Sequence, residues 1–345
     1  MNVIPVVMTS NEYFAAYASV TVVSILENAN ENTIYDFYFL ISNDFLEDSK
    51  RIIVSEIEKY YRHKINFIYA ENTFKHSYMA KPLGKEVYYR LQACELLPEK
   101  YDFCICLDVD LVVNCDLSEM YETRFKMAGE YGAGYLVAGV RDPWICLQTI
   151  PDEHYKEYGI PSLDQYINAG VLIMNLKLMR EMDIFPIFLE ESRKDRNKLL
   201  GFDQNIINKV CFNKIYPLNL KYNFCPVIVS DKRFHNRIFL IFGQDEIKEA
   251  QENPYIIHYA GYFKPWYRGT DLFWSSFWWH YARKTYSYEK IIMDISVEIA
   301  RENTNNARDE IRSYIRHKMR FYKGAICFII LVLLIYAAFN LFFYK

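Results

Sequence analysis

The sequence predicts an α/β fold in which a mainly parallel sheet is covered by helices. Three observations lead there. Residues 3–8, 35–41 and 65–68 are short apolar runs, with helical patterns over 15–27 and 46–61 between them. Such strand–helix–strand alternation makes parallel neighbours, because parallel strands need long crossovers. Residues 103–107, Phe-Cys-Ile-Cys-Leu, are apolar and free of Gly and Pro, as a buried strand is. Residues 136–140, 171–176 and 255–259 add three further strand-like runs.

The other elements follow in order. Residues 9–12 form a polar turn beyond the first strand, where ligands of such sheets bind. Residues 85–97 read as helical and feed the 103–107 strand through Pro98-Glu99-Lys100. Residues 144–165 are irregular and look like a flap. Residues 185–192 are helical, with Pro186 tolerated in the first turn. A further helix begins at Gln204, behind Gly201-Phe202-Asp203.

The 345 residues, 52% hydrophobic, suffice for one large domain or two smaller ones. A net charge of −3 argues against nucleic acid as a partner. Eight cysteines lie mostly in apolar runs with no C-x-x-C, so buried, reduced thiols are expected. A strand is read almost from residue 1, and no signal peptide is expected.

The far end changes character. Ile291, Ile295 and Ile299 repeat every four residues, and Ile311, Ile315, Met319 and Tyr322 form a second apolar stripe. Arg308, Arg312, Arg316, His317, Lys318, Arg320 and Lys323 stand beside it. Residues 324–343 carry no charge, and twenty helical residues span about 30 Å, the thickness of a bilayer core. The expected organisation is a large α/β domain over 1–284, a basic amphipathic stalk over 285–322 and a membrane-anchor helix over 323–345, spanning the bilayer or, as the weaker option, re-entrant or lying on its surface. The positive flank places the large domain on the cytoplasmic side.

Candidate chemistry centres on Leu107-Asp108-Val109-Asp110-Leu111. Residues two apart on a strand share a face, so both carboxylates can lean toward one divalent ion. Without an ion they would repel each other. His258 ends an apolar strand and opens HYAGYFKPW, in which Gly261 permits close backbone approach and Lys264 suits a phosphate. Arg90 can pair with a carboxylate or a phosphate. Asp203 precedes Gln204 at a helix start, where a plain N-cap is one reading. The Asn168 amide can both donate to and accept from a sugar hydroxyl.

In order these segments read VVMTSN, YYRL, LDVDLVV, VRD, YINAGVLIMNL, FDQNIIN and HYAGYFKPW. This set resembles glycosyltransferase family 8, retaining nucleotide-sugar-dependent enzymes with the GT-A fold, a Rossmann-like sheet. The likeness runs over about residues 3–268 and looks nearest to bacterial lipopolysaccharide galactosyl- and glucosyltransferases. It implies that Asp108, Asp110 and His258 hold Mn²⁺, with Mg²⁺ as the alternative. Gly261 and Lys264 would contact the diphosphate of a UDP-sugar. Thr9 and Asn11 would meet the uridine, Phe14 would stack beside it, and Val109 would line the nucleotide between the two acids. Arg90, Asn168, Asp203 and Gln204 would hold the donor sugar, with Asp142 near its hydroxyls or the acceptor. The family more often carries Asp where Asn11 stands and Tyr where Phe14 stands.

The implied reaction is retaining transfer of glucose or galactose from its UDP-sugar to a glycan or glycolipid such as lipopolysaccharide. An amide such as that of Gln204 is a poor nucleophile, so same-face attack by the acceptor is favoured, with Asp203 as the lesser nucleophile candidate. Three rivals stand: a glycogenin-like protein that glucosylates itself, a membrane protein that binds sugar nucleotides without turnover, and a metal-dependent nucleotidyltransferase.

Overall fold

The computed structural model describes residues 2–77, 84–129, 134–147, 152–194, 201–235, 237–261, 264–267, 271–301 and parts of 304–319. The chain divides into two compact units, Met1–Glu289 and Lys290–Lys345. In the second, residues 290–301 and 308–316 are helical. The membrane helix expected at 324–343 lies outside the described residues, and among the described residues no helix is long and apolar enough to cross a membrane.

The first unit is built on strands β1 (Asn2–Ser10), β2 (Thr33–Ile41), β3 (Lys64–Tyr69), β4 (Phe103–Leu107), β5 (Leu111–Val113), β6 (Val137–Arg141), β7 (Ile167–Asn175), β8 (Ile215–Pro217) and β9 (Ile256–His258). Seven form one sheet in the order β3-β2-β1-β4-β7-β6-β8, and β5 pairs with β9 in a second. Within the large sheet only β7 runs against its neighbours. The sheet is therefore mainly parallel, as the alternation predicts. The central strands β1, β4 and β7 are almost continuously buried, as parallel strands covered on both faces must be.

Local structure departs from expectation in four places. The stretch before β4 is helical but tight: Lys85–Gln92 is a 3₁₀ helix, and only Ala93–Leu96 is α-helical. The supposed flap carries two short helices, Pro143–Cys146 and Asp152–Tyr158. Asp142 nucleates the first by accepting from the Trp144 and Ile145 amides, with Pro143 pre-set for the first turn. Strand β7 begins at Ile167, so Asn168-Ala169-Gly170 belongs to the strand. Finally, β5 and β8 are three-residue strands too short to carry a periodic signal.

The helix Ala15–Glu27 fixes the loop between β4 and β5. It is buried along nearly its whole length, and its sequence is apolar except for a few small polar residues. Thr21, Ser24 and Asn28 lie three and four apart, on one face. Thr21 Oγ1 lies 3.1 Å from the Val109 carbonyl and 2.8 Å from that of Leu111. Ser24 Oγ accepts from the Val113 amide at 2.9 Å. Asn28, just past the helix end, donates to the Val113 carbonyl at 3.0 Å. A buried backbone needs such partners, and this stripe satisfies the one that carries Asp108 and Asp110. Among the described residues all seven cysteines are free thiols, five of them buried.

Two stability experiments follow. Thr21→Val keeps the side-chain shape but leaves buried carbonyls without a donor, so it should cost about 1–3 kcal/mol. A denaturation midpoint equal to the parent's would refute the assigned role. His63 Nδ1 accepts from the Tyr35 amide at 3.0 Å, and its ring stacks on Tyr35. Burial, with the Arg62 charge, pushes its pKa down to about 4. The unfolded imidazole, with a pKa of about 6.5, takes up its proton first. Stability from this group is complete above about pH 6.5 and is lost as pH falls toward 4. His63→Gln should flatten that part of the urea-midpoint profile; an unchanged slope between pH 6.5 and 4 would exclude it.

Candidate active site

Asp108 and Asp110 sit in the turn between β4 and β5, not on one face of a strand. Strand β4 ends at Leu107, and the Asp108 amide closes the ladder by donating to the Gly170 carbonyl of β7 at 2.8 Å. The chain then turns into β5, which pairs antiparallel with β9 and sets Leu111 opposite His258. The Tyr259 amide donates to the Asp110 carbonyl at 3.0 Å and holds the two segments together. This pairing brings the distant imidazole to the acids. His258 Nε2 lies 3.5 Å from Asp108 Oδ2 and 3.2 Å from Asp110 Oδ1. One ligand atom from each of the three falls within 4.8 Å of the others.

Two cations balance the acids. Arg90, 4% exposed, lies on the 3₁₀ helix and pairs with Asp108. Its Nε lies 3.0 Å from Asp203 Oδ2, and it also donates to the Ala169 carbonyl. Lys264 pairs with Asp110 and donates to the Tyr259 carbonyl at 2.8 Å. Burial opposes ionisation of Asp108, but Arg90 and then His258 outweigh it and hold the carboxyl well below its usual range. Asp110 is likewise lowered against burial, by Lys264 and His258. For His258, burial disfavours charge, yet Asp110 and Asp108 raise its pKa well above the ordinary value. Asp203 goes the other way: burial pushes it up to about 7 despite Arg90. It is not the helix N-cap; Gly201 takes that place, and Asp203 turns inward from the first turn.

Beside the charged trio lies a set of amides. Asp142 Oδ2 accepts from Gln204 Nε2 at 2.8 Å and from Asn168 Nδ2 at 3.2 Å. Gln204 Oε1 accepts from the Ala169 amide at 3.0 Å. The structure thus joins Asp142, Asn168 and Gln204, and β7 links them to Asp108. Sequence reading missed two members. Tyr166 lies with its hydroxyl 3.3 Å from Gln204 Nε2. Asn223 lies between Asn168 and His258. Its only sequence signal is a lone amide in the otherwise apolar and aromatic Tyr222-Asn223-Phe224-Cys225.

Of the residues expected at a nucleotide, Thr9 belongs to β1, which runs on through Ser10 into the stretch expected as a turn, and Asn11 and Phe14 follow the strand's end. Register pairs Met8 with Leu107, so Thr9 emerges next to Asp108. The Asn11 side chain accepts from the Phe14 amide at 3.2 Å and caps the turn Glu12–Phe14. The half-buried Phe14 ring packs edge-on against Tyr13, which is 51% exposed. Val109 is buried, and its carbonyl lies 3.1 Å from Thr21 Oγ1. Gly261 adopts φ +71°, a conformation that favours glycine, and among the described residues no atom lies within 4 Å of where a Cβ would stand.

The donor set suits a hard or borderline divalent ion such as Mn²⁺ or Mg²⁺. Ligands at right angles about 2.1 Å from an octahedral ion stand about 3 Å apart. The carboxylate–imidazole separations of 3.2 and 3.5 Å are close to that. Asp110 Oδ1 and His258 Nε2 are buried with no hydrogen-bond partner among the described residues. Buried polar atoms seldom go unpartnered, and a cation between them satisfies both.

Residues 5–270 match the model of glycosyl transferase family 8. General stress protein A of Bacillus subtilis is 23% identical over 284 residues, 81% of this chain and 93% of that protein. A putative glycosyltransferase of Haemophilus influenzae is 26% identical over 224 residues, 64% of this chain and 63% of that one. The lipopolysaccharide 1,2-glucosyltransferase of Escherichia coli K12 is 25% identical over 186 residues, 54% of this chain and 50% of the enzyme. Among solved structures, the galactosyltransferase LgtC, in complex with donor and acceptor sugar analogues, superposes with a TM-score of 0.65. It is 20% identical, and the match covers 82% of this chain and 96% of LgtC, which establishes the shared GT-A-type fold. With the match running from β1 to beyond the Lys264 loop, this chain belongs to glycosyl transferase family 8.

Proposed function

We propose that the chain transfers a hexose, glucose or galactose, from a UDP-sugar to a glycan or glycolipid acceptor, with retention and with a divalent cation. The observation that carries this is the trio Asp108, Asp110 and His258, gathered from two distant segments with two orphaned donor atoms facing each other. When bound there, Mn²⁺ or Mg²⁺ supplies Lewis-acid stabilisation of the diphosphate leaving group. Lys264 adds a point charge beside it, and Gly261 lets the backbone approach. Thr9, Asn11, Phe14 and the exposed Tyr13 offer polar and aromatic surface to a uracil ring beyond β1.

On the sugar side, Gln204 has its oxygen on the Ala169 amide and its nitrogen on Asp142. Such an amide orients a sugar and does not attack it. Asp203 faces Arg90, which favours an anchoring role over a nucleophilic one. Same-face attack by the acceptor hydroxyl fits these placements best. The uncharged sequence over 324–343, preceded by a basic stretch, supports a membrane-held enzyme with its catalytic unit in the cytoplasm and a lipid-linked glycan acceptor.

Gly170 shows how tightly the cation ligands are packed. A Cβ there would stand 2.2 Å from His258 Cε1 and 2.8 Å from Asp108 Oδ2. Gly170→Ala should therefore displace both ligands. Donor hydrolysis should fall by more than tenfold, with a stability loss of about 1–3 kcal/mol; a variant with parental turnover would show that the two ligands do not need this position. The central test is UDP release from a panel of UDP-sugars with and without Mn²⁺. Asp110→Asn should lower Mn²⁺-dependent release by at least about a hundredfold while leaving the melting temperature near the parent's. Metal-independent release, or release of pyrophosphate in place of UDP, would overturn the assignment.

A further inference from the structure

The hydrogen bonds behind His258 form a chain whose direction is fixed at one end by the backbone. The Gly170 amide can only donate, and it donates to Asn168 Oδ1 at 2.9 Å. This sets the orientation of the Asn168 side chain. Its Nδ2 then points at Asp142 Oδ2, 3.2 Å away, and donates to it. Both ends of the Asn168 amide are thus determined. Asn223, 3% exposed, comes next. Facing Asn168 Oδ1 at 3.0 Å, it must present its Nδ2. Its Oδ1 is thereby turned to His258 Nδ1, 2.9 Å away. An amide oxygen only accepts, so Nδ1 must donate. Because Nδ1 keeps its own proton, Nε2, the atom that faces Asp108 and Asp110, is the nitrogen that gives up its proton when a cation takes the lone pair.

We infer that Asn223 is a positioning residue that locks His258 in the Nδ1–H form and so keeps Nε2 available to a divalent cation. The inference rests on the cation reading given above and deepens it. The lock is read from Gly170 through two amides, and its far branch reaches Gln204 through Asp142. Ligand orientation and the sugar-facing amides therefore share one network. Groups that hold the second nitrogen of a ligating histidine commonly change metal affinity by about 10–100-fold when removed.

Three full-length proteins test this by calorimetric titration with Mn²⁺ alone, without a sugar nucleotide: the parent, Asn223→Leu and Asn223→Asp. Leu keeps the volume but offers no acceptor, and Mn²⁺ should bind about 10–100-fold more weakly. Asp still accepts from Nδ1–H, so Mn²⁺ affinity should stay within about threefold of the parent. Asp cannot donate to Asn168, so its donor KM should rise about tenfold. Parental affinity in Asn223→Leu overturns the inference, as does equal weakening in both variants, which is what a merely structural residue would give. A parent that binds no Mn²⁺ overturns the inference together with the cation reading. Should Asn223→Leu not fold, the ¹⁵N-histidine spectrum of the Mg²⁺-loaded parent decides. The His258 resonances, identified by their loss in His258→Asn, should show protonated Nδ1; a bare Nδ1 overturns the inference.

Discussion

The forced proximity of two carboxylates is the constraint on which the site depends. At separations within 4.8 Å and an effective dielectric of about 20, two such charges repel by about 3.5 kcal/mol. The fold meets this with charge from three directions: Arg90 on one acid, Lys264 on the other and His258 between them. None of the three is a sequence neighbour of the acids. The 3₁₀ helix before β4 brings Arg90, and the β5–β9 pairing brings His258 with Lys264 close behind it. The loop that carries the acids is itself fixed by the Thr21–Ser24–Asn28 stripe. The balance of charge is therefore a consequence of tertiary structure, and local sequence alone would leave the acids opposed.

The single reversed strand gives the site its second half. Parallel strands deliver their C-terminal ends to the crevice. Strand β7 runs the other way, so it delivers its N-terminal end, and Asn168, Ala169 and Gly170 arrive where Leu107 leaves off. Each of those three residues has a separate task. Gly170 makes room for the imidazole and orients Asn168. The Ala169 backbone holds Gln204 and Arg90. Asn168 joins Asp142 to Asn223. An antiparallel strand in a parallel sheet is what lets one tripeptide touch both the charged and the amide sides.

The parts of the molecule that were legible in the sequence are those with local signatures. Residues 15–27 read as a helix to the residue, because a stretch of thirteen residues rich in Ala, Val and Ser between two strands is too long for a buried strand. The acids, His258 and Lys264 could be nominated because their residue types and strand-end positions narrow their chemistry. The shared-face argument for Asp108 and Asp110 placed both on a strand, but β4 has ended at Leu107 and a turn brings them together. The N-cap reading of Asp203 failed because a buried Arg90 competes for its carboxylate more strongly than free helix amides do. Asn223 was invisible because its role depends on two partners from β7 and β9, and a single amide has no period or motif.

The arrangement also explains why arginine stands at position 90. Three acceptors surround it: Asp108, Asp203 and the Ala169 carbonyl. They belong to different segments and lie in different directions. A planar guanidinium offers five donors in a fixed fork, and it stays charged when buried. A lysine would present one compact charge and would lose it more readily on burial. With Asp203 pushed up to about 7 and Asp108 held low, the guanidinium separates two carboxyls with opposite tendencies. Asp108, in the candidate cation site, is held low, and Asp203, on the helix Phe202–Val210, absorbs the cost of burial. That asymmetry keeps the charge of Asp108 beside His258 and sets Asp203 against Arg90, with the neutral amides of Asn168 and Gln204 beside them.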